Sequence, residues 1–249
     1  MATLLKLTGV TKSFGAVRAL TNVDFDLNEC EVVALVGDNG AGKSTLIKAI
    51  SGAQPGDEVG YWFDGKEYSV KSPEDALALG IETVYQDLAL FDHSNVAQNI
   101  FAGRELVSKV IGISFLQART MHAKAKELLM SLNIHIHSTQ LSVKGMSGGQ
   151  RQSIAIARAV AFGRKVVILD EPTAALGVPE QAKVLSLIGE LKARGFSVIF
   201  ISHNLHQIFQ VSDRIHVLRQ GQTAGVRHTA ETTPDEIVKL ITGGDLVKH

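Results

Sequence analysis

The 249-residue sequence has one cysteine, Cys30, so no intrachain disulfide is possible and a reducing compartment fits. It has no run of 18 consecutive apolar residues, the length a helix needs to cross a bilayer. Its start, Met1-Ala2-Thr3-Leu4-Leu5-Lys6, lacks a basic segment followed by a long apolar one, so no signal peptide is expected. These absences predict a soluble, cytoplasmic protein unless a partner holds it at a surface. Net charge is missing too: 25 Lys and Arg balance 25 Asp and Glu, which argues against dependence on bulk attraction to nucleic acid. There is no internal repeat and no low-complexity tract. With 45% hydrophobic and 20% charged residues, the chain can form a sizeable core and does not have a disordered composition.

The balance of charge is uneven along the chain. Residues 101–165 carry ten basic residues, at 104, 109, 119, 124, 126, 144, 151, 158, 164 and 165, against Glu105 and Glu127. That segment is therefore +8 and the remainder −8. Two readings stay open: a solvated basic face, or a docking surface for an anionic or polar partner.

The most informative residues that are present are Gly37-Asp38-Asn39-Gly40-Ala41-Gly42-Lys43-Ser44, which fit the phosphate-binding pattern G-x-x-x-x-G-K-[ST]. The apolar run Glu31–Val36 before it reads as a buried strand, and Thr45–Ile50 after it as a helix. Glycines let the backbone curl so that successive N–H groups, backed by the positive helix end, face phosphate oxygens. Lys43 adds a charge for the β and γ phosphates, and Ser44 a hydroxyl for Mg²⁺.

Around this loop, residues 4–8 and 23–27 read as strands with turns at Gly15 and Asn22. Tyr61-Trp62-Phe63 and Lys66-Glu67-Tyr68 flank Asp64-Gly65, a hairpin signal. A helix is expected over Pro73–Leu79, a strand over Ile81–Tyr85, and mostly helix over 95–160, including Ala118–Leu132 and Gly149–Val160. Alternation follows: strand 166–170, helix 179–193, strand 197–201, helix 204–211, strand 213–218, a turn at Gln220-Gly221 and a helix over 234–242. Such alternation predicts a parallel sheet covered by helices.

Two further motifs carry chemistry. The apolar run Val166–Leu169 ends in Asp170-Glu171, so a buried strand delivers both acids to its C-terminal tip, where ligands gather in open α/β sheets. Asp170 can hold Mg²⁺ opposite Ser44, and Glu171 can polarise an attacking water. Met146-Ser147-Gly148-Gly149-Gln150 precedes a helix. Ser147 can cap it, and the glycines leave N–H groups open to an anion. One γ-phosphate hardly needs two such devices, so this one can serve a nucleotide held by another subunit; alone it is also a plain loop and helix cap. His135 and His137 lie two apart, but no third metal ligand is near.

In this order, with Asp170-Glu171-Pro172-Thr173 and Ile201-Ser202-His203, the motifs resemble the nucleotide-binding domain of ATP-binding cassette (ABC) transporters, from about residue 4 to 243. The resemblance implies an α/β P-loop NTPase fold of ABC ATPase type, with a mainly parallel core sheet, an N-terminal antiparallel β subdomain and an inserted helical subdomain. It divides one domain, 1–249, into an ATP-binding core with the β subdomain (1–86 and 160–249) and a helical signature subdomain (87–159). It implies ATP and Mg²⁺ as cofactors. Catalysis would fall to Glu171, His203 and Lys43, with His203 on the γ-phosphate. Nucleotide binding would involve Phe14, stacked on adenine, Gly37, Asp38, Asn39, Gly40, Ala41, Gly42, Lys43, Ser44, Thr45, Gln86, Ser147, Gly148, Gly149 and Gln150. Mg²⁺ would be held by Ser44, Gln86 and Asp170. Phe14 could otherwise be a core aromatic, Gln86 a plain strand-end residue and His203 a helix cap.

The same resemblance implies a head-to-tail dimer or paired cassette with ATP between phosphate loop and opposing signature, and transmembrane permease subunits contacted near Gln86. It implies an indirect periplasmic or extracellular sugar-binding protein, no nucleic acid, and a peripheral place on the cytoplasmic side of the inner membrane. Ser72–Ile81 and Asn99–Glu105 look like the single-cassette importers of simple sugars such as ribose, xylose and fructose. Two departures stand out: Gly177 occupies a position where the family usually has Asp, which helps couple the two sites, and Cys30 one where a turn Gly is common. The alternative is an ABC ATPase acting on nucleic acid or the ribosome through the basic block, although paired cassettes, coiled coils and zinc modules are missing. A small-molecule kinase does not account for the signature or His203.

Overall fold

Side chains alternate along the central strands of this computed structural model, and that alternation builds its layers. Residues 2–110, 113–162 and 165–244 are described. In β3 (Val32–Val36), Val32, Ala34 and Val36 face one apolar cluster, and Val33 and Leu35 the other. β9 (Val166–Asp170) and β10 (Ser197–Ile201) divide in the same way, so the strands are apolar on both faces, as a sheet covered on both sides requires. With β6 (Ile81–Val84), β11 (Arg214–Arg219) and β12 (Gln222–His228) they form a six-stranded sheet in the order β12-β11-β3-β10-β9-β6. All its pairings are parallel except β11 with β12.

One face carries α1 (Lys43–Ile50), α2 (Pro73–Leu79) and a four-stranded antiparallel sheet, β2-β1-β4-β5. Those strands are β1 (Thr3–Phe14), β2 (Val17–Asn28), β4 (Glu58–Phe63) and β5 (Lys66–Tyr68). Asp64 and Gly65, at φ 52° and 71°, make the tight β4–β5 turn. The opposite face packs on α3 (Val96–Phe101), α4 (Ala118–Ser131), α5 (Gly148–Val160), α6 (Val178–Ala193), α7 (Leu205–Val211) and α8 (Pro234–Thr242). α3 packs on both α4 and α5.

One expectation needs correction, and three features add to what the sequence indicated. Asn22 is no turn; it sits inside β2 at φ 50°, between the register pairs Val10↔Val23 and Lys12↔Leu20, where the ladder is irregular. The 95–160 block is not helical throughout, because β7 (Val107–Val110) and β8 (Ile113–Leu116) form a two-stranded hairpin within it. The segment after Gln220-Gly221 is β12, closing the edge of the main sheet. Cys30 keeps the left-handed turn of a glycine, φ 54°, with its N–H on Ser197 Oγ at 3.0 Å.

Candidate active site

β3 is buried along its length and stops at Gly37, delivering the loop to the C-terminal edge of the sheet. The loop passes beneath β2. A Cβ on Gly42 would lie 2.8 Å from Leu20 Cδ2 and 2.9 Å from Ala19 O, and its φ of 103° disfavours any other residue. Gly42 is also the N-cap of α1 and offers no side-chain acceptor, so the first-turn N–H groups remain for a ligand. Lys43 Nζ donates to the carbonyls of Gly37 (2.7 Å) and Asp38 (3.0 Å). Burial lowers its pKa, against the opposing pull of Glu171, Asp38 and Asp170.

The acids come from the neighbouring strand. β9 and β10 pair in parallel with Ile201 opposite Asp170, so the residues just beyond those tips meet. Glu171 turns at φ 49°, donates its N–H to Ile201 O at 3.0 Å, and sets Oε2 2.9 Å from His203 Nδ1. Asp170 has a raised pKa, first from burial and then from the charge of Glu171, with Lys43 and Lys48 acting against both.

These groups line one open cleft of about 540 Å³. Of the residues expected from sequence, it brings together Phe14, Asn39, Gly40, Ala41, Gly42, Lys43, Ser44, Thr45, Gln86, Asp170, Glu171 and His203. Gly37 and Asp38 are not in its lining and supply the carbonyls that hold Lys43. Phe14 ends β1 and is 44% exposed, so it is not a core aromatic. Ala19, Ala174 and Ile201 also line the cleft without having been singled out. Ala174 and Ile201 flank the Asp170-Glu171 and Ser202-His203 motifs, the signal that could have found them; Ala19 gave none.

Ser147, Gly148, Gly149 and Gln150 lie outside this cleft. Ser147 caps α5: its Oγ accepts from Gln150 N at 3.3 Å, and Gln150 Oε1 accepts from Ser147 N at 3.1 Å. Ser147, Gly148 and Gln150 are exposed. Gly149 is buried beneath Glu180, whose Cγ lies 2.7 Å from where a Cβ would stand. His135 and His137 belong to no group of three or more His, Cys, Asp or Glu able to hold a metal among the described residues.

The basic block is not one free face. Arg104 is half-buried, paired with Glu82 at 3.1 Å and set over the Phe162 ring at 4.9 Å. Arg151 pairs with Asp92 and Lys165 with Asp64. Arg158 donates to the carbonyls of Leu88 and Ala89 at 2.7 and 2.8 Å, which ties the segment after Gln86 to α5. Arg164 lies outside the described residues. No helix among the described residues is long and apolar enough to cross a membrane.

The family model for the ABC transporter matches residues 20–174. The chain belongs to the ABC transporter family. It is similar to the xylose/arabinose import ATP-binding protein XylG of Sulfolobus acidocaldarius, 48% identical over all of this chain and 97% of the relative. It is also similar to the fructose import ATP-binding protein FrcA of Rhizobium meliloti, 45% identical over 96% of this chain and 94% of the relative. In structure it resembles an ATP-binding cassette of an ABC transporter, with a TM-score of 0.84 and 26% identity, over 96% of this chain and 99% of the other. The cassette is thus an ABC-type ATPase with an α/β P-loop fold that binds ATP.

Proposed function

We propose that this cassette powers a carbohydrate importer, hydrolysing Mg-ATP between two cassettes paired head to tail. One observation carries the reading: the cleft joins a phosphate loop to Asp170, Glu171 and His203, while Ser147, Gly148 and Gln150 stand exposed outside it. A second cassette, turned so that its Ser147–Gln150 covers the cleft, would complete two sites at once.

The residues of the cleft take the following roles. First-turn N–H groups of α1 and Lys43 bind the phosphates, Lys43 leaving the Gly37 and Asp38 carbonyls to do so. Phe14 offers its exposed face to adenine. Ser44, Gln86 and Asp170 supply a hydroxyl, an amide oxygen and a carboxylate, the oxygen donors a hard cation takes. A cation beside Asp170 would also reverse the effect of burial and of Glu171 on its carboxyl. Mg²⁺ held there would neutralise phosphate charge. Glu171 accepts the proton of the attacking water, and His203, bonded to Glu171 Oε2, orients that oxygen.

Residues 87–159 would act as the helical signature subdomain, with 1–86 and 160–249 as the ATP-binding core. Residues 86–145 would dock on the cytoplasmic loops of a sugar permease, which places the cassette peripherally on the cytoplasmic side of the inner membrane. A sugar-binding protein would act indirectly, from outside. Support for sugar comes from the relatives named above. Arg104, Arg151, Arg158 and Lys165 are already engaged, which weakens the alternative of a nucleic-acid partner. Lys109, by contrast, is exposed on β7. Uptake and basal ATPase, measured on the reconstituted complex, should separate in Lys109→Glu: weaker coupling, unchanged basal rate. Co-purification of RNA or DNA in place of a membrane protein would defeat the proposal.

A further inference from the structure

A buried chain of polar side chains lies behind the cleft and is used by none of the roles above. Gln207 on α7 is 3% exposed, and its side-chain amide is bonded at both ends. Its Oε1 accepts from Thr173 Oγ1 at 2.6 Å and from Ser202 Oγ at 3.4 Å. Its Nε2 donates to Gln181 Oε1 at 3.0 Å, and Gln181 Nε2 donates to the carbonyl of Leu176 at 2.9 Å. Thr173 and Ser202 are also buried, at 4% and 2%.

The bonded residues belong to three segments. Ser202 immediately precedes His203, Gln181 stands in α6, and Thr173 and Leu176 share the loop that runs from Glu171 into α6, Thr173 two residues after Glu171. Gly177, at the end of that loop, has no side chain with which to fix it. Leu176 in turn lies over Gly148, its Cδ2 3.0 Å from where a Cβ would stand. We propose that Gln207 is a positioning residue for hydrolysis: its amide fixes the Glu171 and His203 backbones relative to each other and, through Gln181, holds the loop Ala174–Gly177 against α5. The proposal rests on the roles given above to Glu171 and His203. A neutral amide suits the place, because it accepts on one side and donates on the other without a buried charge.

The test compares Gln207→Met, Gln207→Glu and Glu171→Gln in the purified full chain. Gln207→Met, similar in length but unable to bond, should lower kcat about tenfold while KM and ATP affinity stay within about twofold. The His203 ring nitrogens, followed by ¹⁵N NMR, should shift toward those of an imidazole without a carboxylate partner. Gln207→Glu keeps an acceptor for both hydroxyls, and its buried carboxyl should have a raised pKa. Its kcat relative to the unmodified chain should therefore recover as pH falls and the O–H replaces the lost donor. A purely structural role would lower stability and leave kcat and the His203 signals of the folded protein unmoved. If Gln207→Met does not fold, Thr173→Val and Ser202→Ala each remove one bond and must lower kcat in the same direction. An unchanged kcat in these variants, with Glu171→Gln inactive, overturns the role of Gln207. An active Glu171→Gln overturns the assignment of the base instead.

Discussion

Two helix starts, α1 and α5, share glycine-rich approaches and differ in how their N–H groups are used. α1 begins after Gly42 with no side-chain cap, inside a cleft that already contains Asp170, Glu171 and His203. α5 begins with Ser147 and Gln150 closing a reciprocal cap, on an exposed edge. The Ser147 cap stabilises α5 by about 1 kcal/mol without any ligand. The first start is thus left open for an anion and completed by its own chain. The second is stable alone and has none of the cleft's catalytic groups before it.

The largest expected effect separates chemistry from binding at the α1 site. Glu171→Gln should lower turnover by about 10²-fold or more while ATP affinity is retained, since Lys43, Ser44 and Asp170 remain. Turnover and equilibrium binding measured on one preparation decide this, and an undiminished rate would remove Glu171 from its role. Lys43→Ala and Ser147→Ala then contrast the two helix starts. Lys43→Ala should weaken ATP binding by the single chain at least about tenfold, through loss of a charge-assisted contact. Ser147→Ala should leave that affinity within about twofold and lower turnover only where two chains meet. Equal losses of single-chain affinity would erase the distinction.

A third contrast uses the glycines and reads stability. Gly42→Ala, at φ 103° and facing a backbone carbonyl, should cost about 3 kcal/mol in urea unfolding. Gly149→Ala would meet Glu180 Cγ at 2.7 Å and Cβ at 2.9 Å, atoms close to the α6 backbone, but at an ordinary backbone φ, and should cost about 2 kcal/mol. The last effect lies away from both helix starts and develops only as pH falls. His216 is buried against Phe25, with Nε2 3.1 Å from Thr223 Oγ1, and burial pushes its pKa from 6.5 to about 4. Between those values the unfolded chain binds the proton and the folded chain does not, so stability falls as pH drops below 6.5. From about pH 7 to about pH 5 the loss from this group should be about 2 kcal/mol, and His216→Gln should abolish that part of the slope.

The cleft was legible in sequence because its groups sit in contiguous motifs at the ends of apolar strands. Asp170 and Glu171 close one buried run, and Ser202 and His203 follow another. That Glu171 and His203 meet at 2.9 Å depends on the parallel register of β9 and β10, which no local pattern carries. The β7–β8 hairpin escaped because its strands have four residues each and stand between helical segments. The engagement of Arg104 within the basic block was not legible, because its partner, Glu82, lies 22 residues earlier on another element. Gln207 carries no motif at all; its role emerges only where two loops and α6 converge.

The central claim is that the exposed α5 start of one chain closes the α1 cleft of another. Asn39→Cys and Ser147→Cys, combined in a Glu171→Gln background with Cys30→Ser, place one thiol on each surface and no other in the chain. Under mild oxidation the account predicts a disulfide-linked dimer that forms with Mg-ATP and not without nucleotide. Bound ATP with only monomer on a non-reducing gel, in the presence of the permease as well as without it, would contradict it.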